Sequence, residues 1–94
     1  MIKQRFISAI AAITLSLGVT APAIAATAEV EGGLWNYGTN NESVWSYYKH
    51  TERTHKSTAR GESTYYSGCT KPKLEARASG PRARSNNESY YGFC

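Results

Sequence analysis

From residue 26 to residue 94 the chain has only four large aliphatic side chains, namely Val30, Leu34, Val44 and Leu74. Most of the remaining apolar bulk is aromatic and includes all seven tyrosines of the sequence. A buried phenol or indole needs a hydrogen-bond partner, so apolar contacts alone cannot build this core. In chains shorter than about 70–80 residues, a core rarely contributes more than about 3–5 kcal/mol. The composition therefore predicts a covalent staple.

The first 25 residues have the pattern of a cleaved secretory signal peptide. Lys3 and Arg5 precede an uncharged run over residues 6–19, and Pro22 precedes the small-residue segment 23–25. A basic start, a short apolar run and an A-x-A site are the features of such a signal. A membrane anchor is the alternative, but it needs about 20 apolar residues. The apolar run is too short for that.

We therefore predict a helical signal peptide over residues 1–25 and a single secreted domain over residues 26–94. Cleavage after Ala25 is our first choice, and cleavage after Ala28 remains open. Nine basic residues then face seven acidic ones in the mature chain. This small excess, together with export, argues against a nucleic-acid-binding protein, which would carry a denser basic patch.

Cys69 and Cys94 are the only cysteines. Two cysteines in an exported chain usually pair, so we predict a disulfide between them. A closed loop of about 25 residues corresponds to roughly 3.5 kcal/mol of stabilisation, and the bond would also hold the C-terminal residue. A free thiol and an intermolecular bridge are the alternatives. Two cysteines are too few for a structural zinc site.

Short segments rich in Tyr, Trp, Thr and Val predict β-strands, because Gly, Asn, Ser and Pro separate them. The predicted strands are residues 34–37, 44–50, 55–58, 63–66, 74–78 and 89–93. Their spacing predicts an all-β fold, a small antiparallel β-sandwich, with a small barrel as the alternative. Residues 71–87 contain two prolines and many charges, so we expect the longest loop there.

The sequence NNES occurs twice, at residues 40–43 and 86–89, each time before an aromatic segment. Asparagine favours turns, so each copy predicts a turn that leads into a strand. Each copy also contains an N-x-S glycosylation pattern, which is the alternative. Tyrosine occurs in three doublets, and neighbours on a strand point to opposite faces. Each doublet should send one ring into the core and one outward, either as part of a binding surface or simply as a half-buried strand residue.

His50 and His55 are the best candidates for catalysis. The chain has no Asp and no G-x-S-x-G motif. The spacing of the two histidines does not fit one helix face, unlike the zinc motif H-E-x-x-H, and no third ligand is evident. The alternative is that they are polar strand-end residues. We predict that the protein is not an enzyme and has no catalytic residue, metal or cofactor.

The segment Glu31-Gly32-Gly33 could bring backbone close to a ligand. Clustered backbone N–H groups can bind anions, and Lys49, Arg53, Lys56 and Arg60 follow in one stretch. This combination is consistent with a phosphate-binding element. The alternative is a flexible turn with solvated basic residues.

Four segments together resemble the lactococcin 972 family of bacteriocins. Residues 30–38 read VEGGLWNYG, similar to the family's opening V-E-G-G-x-W-x-Y-G. Residues 46–50, SYYKH, resemble its S-x-Y-x-H, and residues 55–58, HKST, resemble its H-x-S-S/T. The Tyr90-Tyr91 pair is similar to the family's aromatic end. The chain departs from the family at residues 74–78, where Leu74 stands in place of the Trp of W-A-x-A.

The resemblance implies a secreted antibacterial protein with a small β-sandwich fold. It also implies that the chain acts on growing related bacteria, through the cell-wall precursor lipid II and blocked septum formation. The partners would be lipid II or the target-cell envelope, and an immunity protein in the producer. A secreted adhesion or signalling domain without killing activity is the alternative. The predicted ligand-binding residues are Gly32, Gly33, Trp35, Tyr37, Tyr48, Lys49, His50 and His55.

Overall fold

The computed structural model describes residues 13–15 and 24–94, which form eight β-strands. The strands are β1 (Ile13–Leu15), β2 (Ile24–Val30), β3 (Gly33–Thr39), β4 (Ser43–His50), β5 (His55–Arg60), β6 (Thr64–Tyr66), β7 (Glu75–Pro81) and β8 (Asn87–Phe93). No helix in these two ranges has the length and apolar character that a bilayer crossing requires. The predicted all-β class is confirmed.

The strands form two four-stranded sheets in which every pairing is antiparallel. Sheet I has the order β2-β3-β4-β7, and sheet II has the order β1-β8-β5-β6. Strand β4 of sheet I lies against β5 and β8 of sheet II, so the two sheets stack face to face. This arrangement confirms the predicted antiparallel β-sandwich.

All six predicted strands are present, but the predicted loop over residues 71–87 is wrong. Strand β7 occupies the middle of that segment, from Glu75 to Pro81. Ala76 and Ala78 alternate with exposed residues and are buried against the core. β7 is an edge strand of sheet I, a position that tolerates proline because one side of the strand needs no donor.

The predicted signal peptide lies for most of its length outside the described residues. The described part includes β1, a short strand that pairs with β8. It also includes the start of β2, which pairs with β3. Cleavage of residues 1–25 stays a prediction.

The core is built mainly from aromatic rings. One cluster contains Trp35, Tyr48, Tyr91 and Phe93, and a second contains Val44, Ala59 and Ala78. All seven side chains are at most 6% exposed. The indole N–H of Trp35 is bonded to a buried serine, and the hydroxyl groups of Tyr48 and Tyr91 are bonded to Val30 and Glu31.

Serine side chains join the sheets across the core. The indole N–H of Trp35 donates to Ser46 Oγ at 2.9 Å, and Ser46 Oγ donates to the backbone oxygen of Tyr90 at 2.7 Å. In the opposite direction, Ser89 Oγ donates to the backbone oxygen of Trp45 at 2.8 Å. These bonds satisfy buried polar groups and fix how sheet I lies on sheet II.

The tyrosine doublets divide between the two faces, as predicted. Tyr48 and Tyr91 are buried, whereas their neighbours Tyr47 and Tyr90 are partly exposed. In the third doublet, the partly buried Tyr65 packs on the second core cluster and its neighbour is 74% exposed. Each doublet therefore contributes one ring to the interior and one to the surface.

The two NNES segments form turns, as predicted. Asn40 Oδ1 accepts hydrogen bonds from the backbone N–H groups of Glu42 and Ser43, at 2.8 and 2.7 Å. In the second copy, Asn86 has a φ of 61°, and the side chain of Asn87 makes two hydrogen bonds to the backbone of Ala83. The asparagines thus replace backbone partners at the entry to β4 and β8.

Cys69 and Cys94 form the predicted disulfide, which closes a sequence separation of 25. The backbone beside it is also tied to β5, since Thr70 and His55 form an isolated antiparallel bridge. The N–H of Cys94 donates to the backbone oxygen of Thr54 at 3.2 Å. The β6–β7 loop and the C-terminus are therefore held at the same end of the sandwich as the β2–β3 turn.

Candidate functional site

The turn between β2 and β3 is an ordered hairpin. Its two central residues, Glu31 and Gly32, have positive φ angles of 50° and 85°. Positive φ at both central positions defines a type I′ turn, whose twist matches that of the flanking strands. Val30 pairs with Gly33 across the turn. The glycine-rich segment therefore has a defined backbone shape.

Gly33 is required because the ring of Tyr48 lies on it. A Cβ at Gly33 would stand 2.6 Å from Tyr48 Cζ and Oη and 2.7 Å from the backbone oxygen of Lys49. The Tyr48 hydroxyl donates to the backbone oxygen of Val30 at 2.8 Å. The Tyr48 side chain thus extends across β3 and holds the end of β2 through this hydrogen bond.

We expect Gly33→Ala to lower the free energy of unfolding by about 1–3 kcal/mol, because overpacking of this size has that cost. Chemical denaturation followed by tryptophan fluorescence measures the loss. Gly92→Ala is the matched control, since its nearest added contact is the flexible Lys56 side chain at 3.3 Å. Equal stability of the two variants would contradict the close packing at Gly33.

His50 connects the β2–β3 turn to the β4–β5 loop. Its Nδ1 atom accepts hydrogen bonds from the backbone N–H groups of Glu52 and Arg53, at 3.1 and 2.9 Å. The hydrogen of the neutral ring must then lie on Nε2, which donates to the backbone oxygen of Glu31 at 3.1 Å. Both nitrogens are engaged, and the ring is 5% exposed.

His55 lies deeper and is fully buried. Its Nδ1 and Nε2 atoms lie 2.7 Å from the backbone oxygens of Arg53 and Leu74, respectively. The protein therefore occupies both nitrogens. Within the described residues, no three His, Cys, Asp or Glu side chains group together as metal ligands. The geometry makes both histidines parts of the scaffold that holds the hairpin end.

Two buried phenols complete this scaffold. The Tyr91 hydroxyl donates to Glu31 Oε2 at 2.8 Å. Burial, and next the hydrogen bond to Glu31, raises the pKa of Tyr91 well above its usual range. Burial, and next the charge of Glu31, does the same to the pKa of Tyr48. Both phenols therefore stay protonated and act as hydrogen-bond donors to the hairpin.

An open groove of about 640 Å³ lies on the outer face of sheet I beside this turn. We call it the hairpin groove. It is lined by Glu29, Gly32, Gly33, Leu34, Lys49 and Thr51. Leu34 is 50% exposed and pairs with Glu29 on one side and Lys49 on the other. The groove thus combines an exposed aliphatic side chain, one ammonium group, one carboxylate and the backbone of the type I′ turn.

The structure brings the predicted ligand-binding residues to one end of the sandwich but divides them between surface and core. Gly32, Gly33 and Lys49 line the hairpin groove. Trp35 and Tyr48 are buried in the first core cluster, where the partly buried Tyr37 packs against them, with its ring centroid 4.0 Å from that of Trp35. Of the buried members, Tyr48 lies against Gly33 and His50 lies against Gly32, so these two support the glycines that line the groove. Ligand binding by the whole set stays a prediction.

Of the four basic residues proposed to surround a phosphate, only Lys49 lines the groove. The guanidinium of Arg53 lies 3.6 Å from the centroid of the Phe93 ring. Lys56 and Arg60 belong to β5 in the other sheet, where Arg60 pairs with Glu88 at 3.7 Å. The charge run is therefore distributed over two sheets, because β4 and β5 lie in different layers.

Sequence reasoning missed Leu34, Glu29 and Thr51. Leu34 had a detectable signal, because it alternates with Trp35 along a strand and one of the two must point outward. A large aliphatic side chain on the solvent face is unusual in a chain with so few of them. Nothing in the sequence brings Glu29 and Thr51 into one groove, because their proximity depends on how β2, β3 and β4 pair.

Most residues of the aromatic core, the hairpin scaffold and the groove lie within the part of the chain that matches a known protein family, and Glu29, Val30 and Phe93 lie just outside it. A family model described as "Bacteriocin (Lactococcin_972)" matches residues 31–91. No curated protein and no solved structure matches the chain. The family match covers well over half of the sequence and includes the motifs quoted above, apart from Val30 at the start of the first. The chain therefore belongs to the lactococcin 972 family of bacteriocins.

Proposed function

We propose that residues 26–94 are secreted after removal of residues 1–25 and kill growing related bacteria by binding lipid II and blocking septum formation. The observation that carries this proposal is the hairpin groove. It places the ammonium group of Lys49 and the exposed side chain of Leu34 together beside the backbone of the type I′ turn. Lipid II is an amphiphile with a pyrophosphate between a sugar head and an isoprenoid tail.

The groove has chemistry for both parts of such a ligand. The ammonium of Lys49 supplies a point charge for a phosphate oxygen, as lysine does in other phosphate sites. Leu34, 50% exposed, supplies apolar surface for the first isoprenoid units. Gly32 and Gly33 carry no side chain, so a phosphate could approach their backbone closely.

The charge balance of the groove makes Lys49 decisive. Lys49 is the one positive side chain among its lining residues, and Glu29 is the one negative side chain. A bound pyrophosphate would be attracted by the first and repelled by the second. Opposite effects of removing these two charges, each larger than the effect of removing a charge from the other sheet, would be a specific sign that an anion binds there.

The strand pairing supports cleavage after Ala25 rather than after Ala28. Cleavage after Ala25 would keep Ala26 to Val30 paired with β3. Cleavage after Ala28 would remove Thr27, whose Oγ1 accepts a hydrogen bond from Asn36 at 2.9 Å. Mass spectrometry of the secreted protein distinguishes the two products.

We expect Lys49→Gln to weaken binding to lipid II about tenfold, equivalent to about 1.4 kcal/mol, and Glu29→Gln to strengthen it. Calorimetry with the oxidised mature chain and lipid II in micelles measures both changes. Lys56→Gln is the matched control, because it removes the same charge from the other sheet. If Lys56→Gln weakened binding as much as Lys49→Gln, net charge rather than the groove would determine binding.

Growth inhibition tests the function itself. The oxidised mature chain is added to growing and to resting cultures of close relatives, with and without purified lipid II as a competitor. Inhibition of growing cells that lipid II relieves is the expected result. Inhibition that lipid II does not relieve would keep the antibacterial activity and remove this target. Cell binding without inhibition of any strain would favour the adhesion or signalling alternative.

A further inference from the structure

Strand β4 carries a row of side chains that begins at the hairpin groove and leads away from it. Trp45, Tyr47 and Lys49 alternate with the buried residues of this strand, so all three point to the outer face of sheet I. Residues two apart on a strand are about 7 Å apart. We call these three residues the β4 row. Lys49 is the residue of this row that lies in the hairpin groove.

The indole of Trp45 is held in one orientation. Its Nε1–H donates to Asn36 Oδ1 at 2.9 Å, and Asn36 Nδ2 donates to Thr27 Oγ1 at 2.9 Å. Because an indole can only donate, the first bond fixes which end of the Asn36 amide faces it. Three strands therefore contribute to positioning one partly exposed ring.

The residues directly opposite Trp45 have small side chains or none. They are Gly38 on β3 and Ser79 on β7, which have no side chain and a small hydroxyl side chain. An ordered indole among small and polar neighbours offers an apolar face bordered by hydrogen-bonding groups. Pyranose rings have the matching chemistry, with apolar C–H faces and hydroxyls at their edges.

Tyr47, the next residue of the row, has a donor group beside it. The guanidinium of Arg77 lies 4.2 Å from the centroid of the Tyr47 ring. Arg77 also pairs with Glu75 at 3.7 Å, and its side chain is 62% exposed. A guanidinium has five N–H donors, so it could also donate to the hydroxyl or carbonyl oxygens of a ligand.

We infer that the β4 row binds the disaccharide of a glycosylated pyrophosphate lipid. The pyrophosphate lies at Lys49, the first sugar lies against Tyr47 and Arg77, and the second sugar stacks on Trp45. This inference rests on the proposed function and extends it from the groove to the head group. The order of the three subsites along β4 follows the order of pyrophosphate and two sugars in the ligand.

An anionic bilayer surface is a poorer occupant of this face. At the groove, Lys49 on β4 pairs with Leu34 on β3 and with Glu75 on β7. Leu34 in turn pairs with Glu29 on β2. The acidic side chains thus offset the basic ones. Binding to anionic lipids needs a cluster of basic residues, which this face does not offer.

Measuring affinity for two lipids distinguishes the contribution of the sugar subsites from that of the groove. One probe is lipid II, and the other is undecaprenyl pyrophosphate, which has the same pyrophosphate and tail but no sugar. We expect Trp45→Leu to weaken binding to lipid II about tenfold and to leave binding to undecaprenyl pyrophosphate unchanged. Asn36→Ala, which releases the indole N–H, should act in the same direction to a smaller extent.

Tyr66→Leu is the matched control, because it removes a 74% exposed tyrosine from the other sheet. It should change neither affinity. Near-UV circular dichroism and thermal melting confirm that each variant is folded. Equal losses toward both lipids in Trp45→Leu, or no loss toward either, would overturn the inference.

A third probe keeps the inference testable if the wild-type chain binds neither lipid. The probe is the soluble disaccharide-pentapeptide, which has the sugars but neither pyrophosphate nor tail. We expect it to shift the indole N–H signal of Trp45 in an NMR titration and to leave that of the buried Trp35 in place. A shift without lipid binding would retain the sugar site and reject the proposed target, whereas no shift would reject the sugar site.

Discussion

Replacing both cysteines by serine is expected to lower the free energy of unfolding of the mature chain by about 3.5 kcal/mol. The Cys69–Cys94 bond spans a sequence separation of 25, and the entropy of closing a loop of that length gives this magnitude. The core of a domain of this size supplies only about 3–5 kcal/mol. The double variant should therefore be largely unfolded at growth temperature and inactive as an antibacterial protein.

Urea denaturation of the oxidised wild type and of Cys69→Ser/Cys94→Ser measures the difference. The double variant is the suitable comparison, because a single replacement would leave a thiol free to form dimers. The backbone bridge between His55 and Thr70 offers an alternative restraint on the same loop. A loss below about 1 kcal/mol would show that this bridge, rather than the disulfide, holds the C-terminal end of the sandwich.

The features that the sequence predicted well are those that local chemistry determines. Alternation on a strand separates the two rings of each tyrosine doublet, whatever the strand pairs with. Asn40 forms its turn with residues two and three positions away. The pairing of the two cysteines is predicted from their number and from the predicted export. None of these predictions depends on how the sheets are arranged.

The orientation of β4 could not be predicted in this way. One of its faces carries Val44 and Tyr48, and the other carries Trp45 and Tyr47, so hydrophobicity favours neither. The inward face includes Ser46, which is fully buried. Its burial depends on hydrogen bonds to Trp35 and to the backbone of β8, and these partners are distant in sequence.

The same limit applies to the candidate site. The segments that resemble family motifs contain residues that build the fold as well as residues that can contact a ligand. Trp35 and His55 belong to the first kind, because they are buried with their polar atoms bonded within the protein. Lys49 belongs to the second, because the register places it in the groove. A single sequence offers no means to separate the two kinds.

Tyr48 is the residue whose loss should damage both the fold and the site most directly. Its fully buried ring lies in the first core cluster and contacts Tyr91 at a centroid distance of 4.6 Å and Phe93 at 5.8 Å. Truncating a large buried aromatic side chain costs about 3–5 kcal/mol, which is comparable to the stability that the core supplies. We expect Tyr48→Ala to unfold the mature chain even with the disulfide intact.

Tyr48→Phe isolates the contribution of the hydroxyl. It keeps the ring on Gly33 but removes the hydrogen bond to the backbone oxygen of Val30, which is 2.8 Å long. The expected loss is about 1–2 kcal/mol, so this variant should remain folded, with β2 less firmly attached at the groove. Amide hydrogen exchange of β2, measured beside that of β5, tests this. A loss of protection in β2 alone would show that the hydroxyl holds β2 at the hairpin. An equal loss in β2 and β5 would show that Tyr48 acts only through global stability.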